Sequence, residues 1–324
     1  MNRSVLSTCS LILKLGALAV VAISNTVLAK PLPDYNKVQG LSGNLISIGS
    51  DTLASMMSRW SEEFQNLYPN VNIQVQASGS STATPALTEG TAQLGPMSRQ
   101  MRLKEIEAFE DEHGYKPTEL RIAVDAIGIF VHEDNPLKGL NFQQVDSIFS
   151  STMLCGGDVP IERWEQLGID SDWAKRRFQL FGRNSVSGTY GYFKQVALCG
   201  GDFKRYVNEQ PGSASVVQSV ASSINTIGYS GVGYRVAGAK LLPIAKQGQD
   251  YVTPTEQNII NGKYPLSRYL YIYVNKEPGK RMPAVEREFI RFIYSKQGQG
   301  MVKSEGYAPL SQDFADRELQ KVGL

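Results

Sequence analysis

The sequence predicts an α/β protein with mainly parallel strands flanked by helices and divided over two lobes. Two observations carry this. The chain has 324 residues, too many for one ordinary hydrophobic core, so about two domains are expected. Four strand-like stretches each run into a polar turn and then a helix-patterned segment. Such alternation builds parallel sheets through helical crossovers.

The composition, 42% apolar and 20% charged with Gly 30 and Pro 15, is that of a globular chain and excludes bulk disorder. Formal charge is +2 from 33 Lys+Arg against 31 Asp+Glu, without a basic run, which argues against a nucleic-acid partner. Residues 1–29 stand apart. Arg3 and Lys14 precede an apolar stretch at 15–23, and Val27-Leu28-Ala29 follows. This resembles a secretory signal peptide cut after Ala29, and the stretch is too short for a permanent transmembrane helix. Cys9, ahead of the apolar stretch, does not look like a lipid-attachment cysteine. Cleavage removes two cations and no acid, leaving 33 − 2 = 31 cations against 31 acids and a formal charge of 0.

Cleavage also leaves two cysteines, Cys155 and Cys199, in an oxidising compartment, where a disulfide is expected. The alternative is a pair of buried free thiols. Each cysteine lies in the pentapeptide Leu-Cys-Gly-Gly-Asp, at 154–158 and 198–202.

Residues 30–42, with two prolines and no period, read as an N-terminal arm. Leu45-Ile46-Ser47-Ile48 reads as a strand, Gly49-Ser50-Asp51-Thr52 as a capping turn, and Leu53, Met56, Met57, Trp60, Phe64 and Leu67 as one helix face. Val71 to Val75 alternates as a strand, and Ala77 to Thr82 leads to Pro85 in a first helical turn. A third strand, 92–95, enters Pro96-Met97-Ser98-Arg99, and a charged helix at 103–113 stops at Gly114. Residues 121–131 are the longest β-rich run, suited to a strand passing between lobes. Phe178 to Phe181 opens a fourth unit, with the turn Gly182-Arg183-Asn184-Ser185-Val186-Ser187-Gly188-Thr189 and a helix from Tyr190 to Leu198. Residues 266–274 carry the chain back, and 284–294 and 298–304 close it with helices. The expected division is an arm at 30–42, lobe I from 43–124 plus 266–324, and lobe II from 125–265.

In open α/β sheets, ligands sit beyond the carboxyl ends of strands, where these turns lie. A helix N-terminus offers unpaired N–H groups and the positive end of the dipole, so an oxyanion binds there without a formal cation. Ser and Thr hydroxyls add donors, although each turn alone is also ordinary capping chemistry. Arg183 is the cation within such a turn, with a fork suited to two anion oxygens, a surface salt bridge being the alternative. Asp51 is either a helix N-cap or an acceptor for the hydrogen of a protonated oxyanion, which would admit hydrogen phosphate and reject sulfate. Enzyme signatures are absent: there is no Gly-x-Ser-x-Gly, Walker, His-Glu-x-x-His or Cys-x-x-Cys pattern. His113 reads as a helix end, His132 as a strand end, and Tyr269, Tyr271 and Tyr273 as packing on one strand face.

Gly-Ser-Asp-Thr, Gly-Ser-Ser-Thr and Arg-Asn-Ser-Val-Ser-Gly-Thr, in this order behind a signal peptide, resemble the phosphate-binding component of the phosphate-specific ABC transporter over essentially the whole mature chain. The resemblance implies a two-lobed periplasmic binding protein fold of type II that closes over dehydrated phosphate in the interlobe cleft and delivers it to an inner-membrane ABC permease. It further implies a periplasmic monomer that is not an enzyme and carries no cofactor or metal. The implied phosphate-binding residues are Ser50, Asp51, Thr52, Ser80, Ser98, Arg183, Ser187, Gly188 and Thr189. Two positions depart from the family pattern: Asp51 stands where Thr is usual, and Ser98 where the acidic acceptor is usual. Acceptor and donor look exchanged between two walls of one pocket, with Asp125 the reserve acceptor. A secreted phosphate-ester hydrolase using the same pocket, or an adhesion or signalling module on this fold, are the alternatives.

Overall fold

The computed structural model describes residues 30–324; the signal peptide and cleavage after Ala29 expected from the sequence lie outside the described residues. Among these, no helix is long and apolar enough to cross a membrane. The chain opens with β1 (Gly43–Ile48), α1 (Ala54–Leu67), β2 (Val71–Gln76), α2 (Ala83–Thr88), β3 (Leu94–Met97) and α3 (Leu103–His113). α1 buries Met56, Met57, Trp60 and Phe64, the stripe expected of an amphipathic helix. A 15-residue strand, β4 (Thr118–His132), follows. Then come β5 (Leu140–Asn141), α4 (Phe142–Phe149), β6 (Gln179–Arg183), α5 (Gly188–Ala197), β7 (Val207–Gln210), α6 (Ser213–Ala221), β8 (Thr226–Gly231), β9 (Ala239–Leu242), β10 (Ile244–Ala245) and α7 (Glu256–Ile260). β11 (Ser267–Val274), α8 (Ala284–Ile293), α9 (Lys296–Ser304) and α10 (Gln312–Gln320) complete it.

The main sheet runs β2-β1-β3-β11-β4-β8-β6-β7, with β9 also on β4. Parallel pairing holds where strands alternate with helices, at β1 with β2 and β3 and at β6 with β7 and β8. The two long strands are antiparallel to their neighbours: β11 to β3 and β4, and β4 to β8 and β9. β4 joins the halves of the sheet. Residues Thr118 to Ala126 pair with β11, and Ile127 to Val131 pair with β8. Two apolar cores follow this division: Ile122 and Ala123 pack with Trp60 and Phe64, while Ala126 and Ile127 pack with Phe149, Trp164 and Tyr229.

Three details differ from the sequence reading. β3 lies two residues later than expected, because Pro96 and Met97 pair with β11 and are buried. α5 begins at Gly188 rather than Tyr190, capped by the Ser187 hydroxyl. α10 was not anticipated. Its polar surface hides Glu318, fully buried and paired with Arg121 at 2.7 Å.

Cys155 and Cys199 form a disulfide across 44 residues, with Cα atoms 5.0 Å apart, so the two Leu-Cys-Gly-Gly-Asp segments are tied together. Closing such a loop restricts the unfolded chain by up to about 4 kcal/mol in the chain-entropy view. Urea unfolding of the Cys155→Ser/Cys199→Ser protein is therefore expected to give a lower stability by a few kcal/mol. A curve coincident with the oxidised protein's would remove the bridge from the stability account.

Candidate functional site

Three consecutive residues after β1 send their side chains to three neighbouring clusters. Ser50 precedes a 3₁₀ turn, Asp51–Leu53, that leads into α1, yet its hydroxyl makes no cap. It donates instead to Ser98 Oγ at 3.0 Å. Ser98, just past β3, donates its N–H to Ser80 Oγ at 3.0 Å, and the two hydroxyls are 3.3 Å apart. All three serines are buried.

Thr52 meets Thr189 from the first turn of α5, with hydroxyl oxygens 2.9 Å apart. Ser187 Oγ accepts the Thr189 N–H at 3.1 Å as the α5 cap. Gly188 lies against the serine cluster: a Cβ there would come within 2.3 Å of Ser80 Oγ and 2.5 Å of Ser98 Oγ. Nearby, the Ser81 N–H donates to Val186 O at 3.1 Å. This contact needs Gly79, whose φ is +113° and where a Cβ would meet Val186 O at 2.8 Å.

Asp51 reaches the third cluster. Its Oδ2 accepts from the N–H and hydroxyl of Ser213, the first residue of α6, each at 3.1 Å, and forms an ion pair with Arg183 Nη1 at 2.8 Å. Arg183 is 1% exposed. It donates to Ser213 Oγ, Pro211 O and Gln210 O at 2.6, 2.8 and 3.4 Å, which leaves one hydrogen on each Nη without a hydrogen-bond partner. Burial draws the guanidinium pKa down, and the Asp51 charge opposes that. Tyr234 and Tyr307 donate to the carbonyl of Thr52, at 3.0 and 2.6 Å, and hold the turn in place.

The selected residues therefore converge, from turns up to 139 residues apart in sequence. Sequence reading missed two members. Ser213, at the start of α6, lies in a segment that the sequence reading left without an element. Arg268 of β11 is buried and donates to Asp125 Oδ2 at 2.9 and 2.7 Å, to Ser98 O at 2.9 Å and to Thr189 Oγ1 at 3.0 Å. Asp125 Oδ1 is buried without a partner. Burial pushes this carboxyl up, against the pull of Arg268. Of the residues set aside, His113 closes α3 and lies 3.1 Å from Thr88 O, His132 ends β4, and Tyr271 and Tyr273 pack with Met97 and Phe109.

Two sheet halves joined by a long shared strand, with donor-rich turns facing each other, define a two-lobed solute-binding protein that seats an oxyanion. A family model described as the PBP superfamily domain matches residues 37–297. The chain is 59% identical over 294 residues to the phosphate-binding protein PstS of Pseudomonas aeruginosa, covering 90% of this chain and 91% of that one. The chain belongs to the PstS family of phosphate-binding proteins. Among solved structures, a substrate-binding protein assigned to phosphate ABC transport in Clostridium perfringens, with bound phosphate, matches with TM-score 0.70 and 25% identity, over 83% of this chain and 100% of that one. An ABC-type phosphate transport receptor of Vibrio cholerae shares the fold at TM-score 0.64 and 21% identity, over 82% and 100%.

Proposed function

We propose that the protein binds inorganic phosphate between the two halves of its sheet, in the periplasm, as a monomer, and hands it to an inner-membrane ABC permease. Family membership supports a carrier rather than an enzyme. The observation that carries the reading is the meeting of turns from both halves at Gly188, Ser80 and Ser98. The phosphate donors are Ser50, Thr52, Ser80, Ser98, Arg183, Ser187, Gly188 and Thr189. Their hydroxyls and the N–H groups at the starts of α1 and α5 replace the water shell of a dehydrated dianion. The lobes are 43–124 plus 266–324 and 125–265, and closure bends β4 and β11 where they cross. Neutral hydroxyls suit this seat because they bind when the halves meet and release when they part.

The acceptor is Asp51. Its Oδ2 is engaged by Arg183 and Ser213, so Oδ1 takes the phosphate hydrogen. Fully ionised sulfate brings no hydrogen and meets a repelling lone pair. In titration calorimetry, the purified mature protein is expected to bind phosphate and to reject sulfate. Asp51→Asn should narrow the preference at least about tenfold, the worth of one hydrogen bond to a charged group. Unchanged phosphate affinity together with unchanged rejection of sulfate would take Asp51 out of this role and leave Asp125.

A further inference from the structure

Arg268 has no part in the scheme above, and its geometry points to one. It stands opposite Asp125 in the antiparallel register of β11 and β4, next to the point where β4 passes from one half of the sheet to the other. From there one guanidinium reaches both sides of the site. Nη1 donates to the Ser98 carbonyl, beyond β3, and Nη2 donates to Thr189 Oγ1, on α5. Asp125 accepts from Nε and Nη2 together, which fixes the plane of the group and neutralises its charge. A hydroxyl oxygen that accepts from a guanidinium must direct its own hydrogen elsewhere. At Thr189 the remaining direction faces Thr52 Oγ1, 2.9 Å away, inside the cluster.

We propose that Arg268 is a positioning residue for the anion seat, acting through Thr189. It makes the Thr189 hydroxyl a donor directed into the cluster shared with Thr52, where the anion is seated, and, by holding the Ser98 carbonyl with the same group, aligns donors of the two halves to each other. Asp125 is the holder of that guanidinium. The proposal rests on the phosphate reading and deepens it: it explains why an arginine that spends its donors on protein atoms is buried beside an anion site.

Removing Arg268 alone leaves Asp125 buried and unpaired, so the test replaces both, as Arg268→Gln with Asp125→Asn. Phosphate affinity is measured by calorimetry for four proteins: the native chain, this paired variant, Thr189→Val, and all three changes together, with thermal unfolding as a check on folding. The paired variant is expected to weaken binding about ten- to a hundredfold. In the Thr189→Val background the same changes should weaken it less than about threefold, because the hydroxyl that Arg268 orients is already gone. Equal factors in both backgrounds would show a merely structural role, or a direct role for Asp125, and overturn the proposal. So would native affinity in the paired variant. If the paired variant does not fold, the same cycle with Arg268→Lys keeps the buried charge balance and answers the same question. Failure of the native protein to bind phosphate would refute the underlying reading instead, and is seen separately.

Discussion

Gly188→Ala is expected to weaken phosphate capture about a hundredfold while leaving the protein folded. Alanine suits the position by backbone and propensity, since Gly188 is the first residue of α5 and helices favour alanine over glycine. The obstacle lies across the cleft. A Cβ at 2.3 Å from Ser80 Oγ and 2.5 Å from Ser98 Oγ must move something by about an ångström. Both serines are buried and hydrogen-bonded to each other, so they have nowhere to retreat. The halves then stop short of each other, and donors misplaced by about 1 Å cost roughly a hundredfold or more in a site that depends on geometry. Calorimetry reads the affinity, and circular dichroism with thermal unfolding reads the fold. Native affinity would mean that the halves do not meet along Gly188 when phosphate is held.

Arg183→Ala should lose more, about a thousandfold, and should also lower stability. Charge-assisted hydrogen bonds contribute about 1.5–3 kcal/mol each, so a two-pronged grip amounts to roughly two to four powers of ten. The truncation also strips Asp51 of its cation beside the bound anion. Removing one partner of a buried pair costs about 3–5 kcal/mol, and the lower end applies because the Asp51 side chain is 16% exposed. The two effects separate in the double variant Arg183→Ala/Asp51→Asn, which should recover most of the stability and none of the affinity. Recovery of phosphate binding in that protein would assign Arg183 to holding Asp51 and not to gripping phosphate.

The repeating strand, turn and helix units were legible because their signals are local. The α1 stripe lies within 14 residues, and the turns announce themselves by Gly, Ser and Thr between an apolar stretch and a helical period. Convergence of the turns followed from the general placement of ligands beyond strand ends. What stayed hidden depends on register and on distant pairs. Asp51 and Arg183 were each selected, but their union spans 132 residues and needs the halves to face each other. Asp125 stands inside one long β-rich run and Arg268 near the start of the other, and opposite charges in two such runs were a pairing signal that was not used. Only the β4–β11 register places them side by side. α10 escaped because its composition is strongly polar and the residues it buries, Gln312, Ala315 and Glu318, include no large apolar side chain to mark the inward face.

Each arginine of the site carries its own carboxylate, Arg183 with Asp51 at 2.8 Å and Arg268 with Asp125 at 2.7 Å. Residues 30–324 also hold 31 charges of each sign. An incoming dianion therefore meets little net field at long range. Dissolved salt weakens electrostatic forces beyond about 8–10 Å at physiological ionic strength, and here those forces are small from the outset. In the proposed scheme the grip acts at hydrogen-bond distance between buried side chains, where mobile ions do not enter. A carrier built in this way holds its ligand nearly as well in brine as in dilute water, and its performance follows the closeness of two walls rather than the salinity around them.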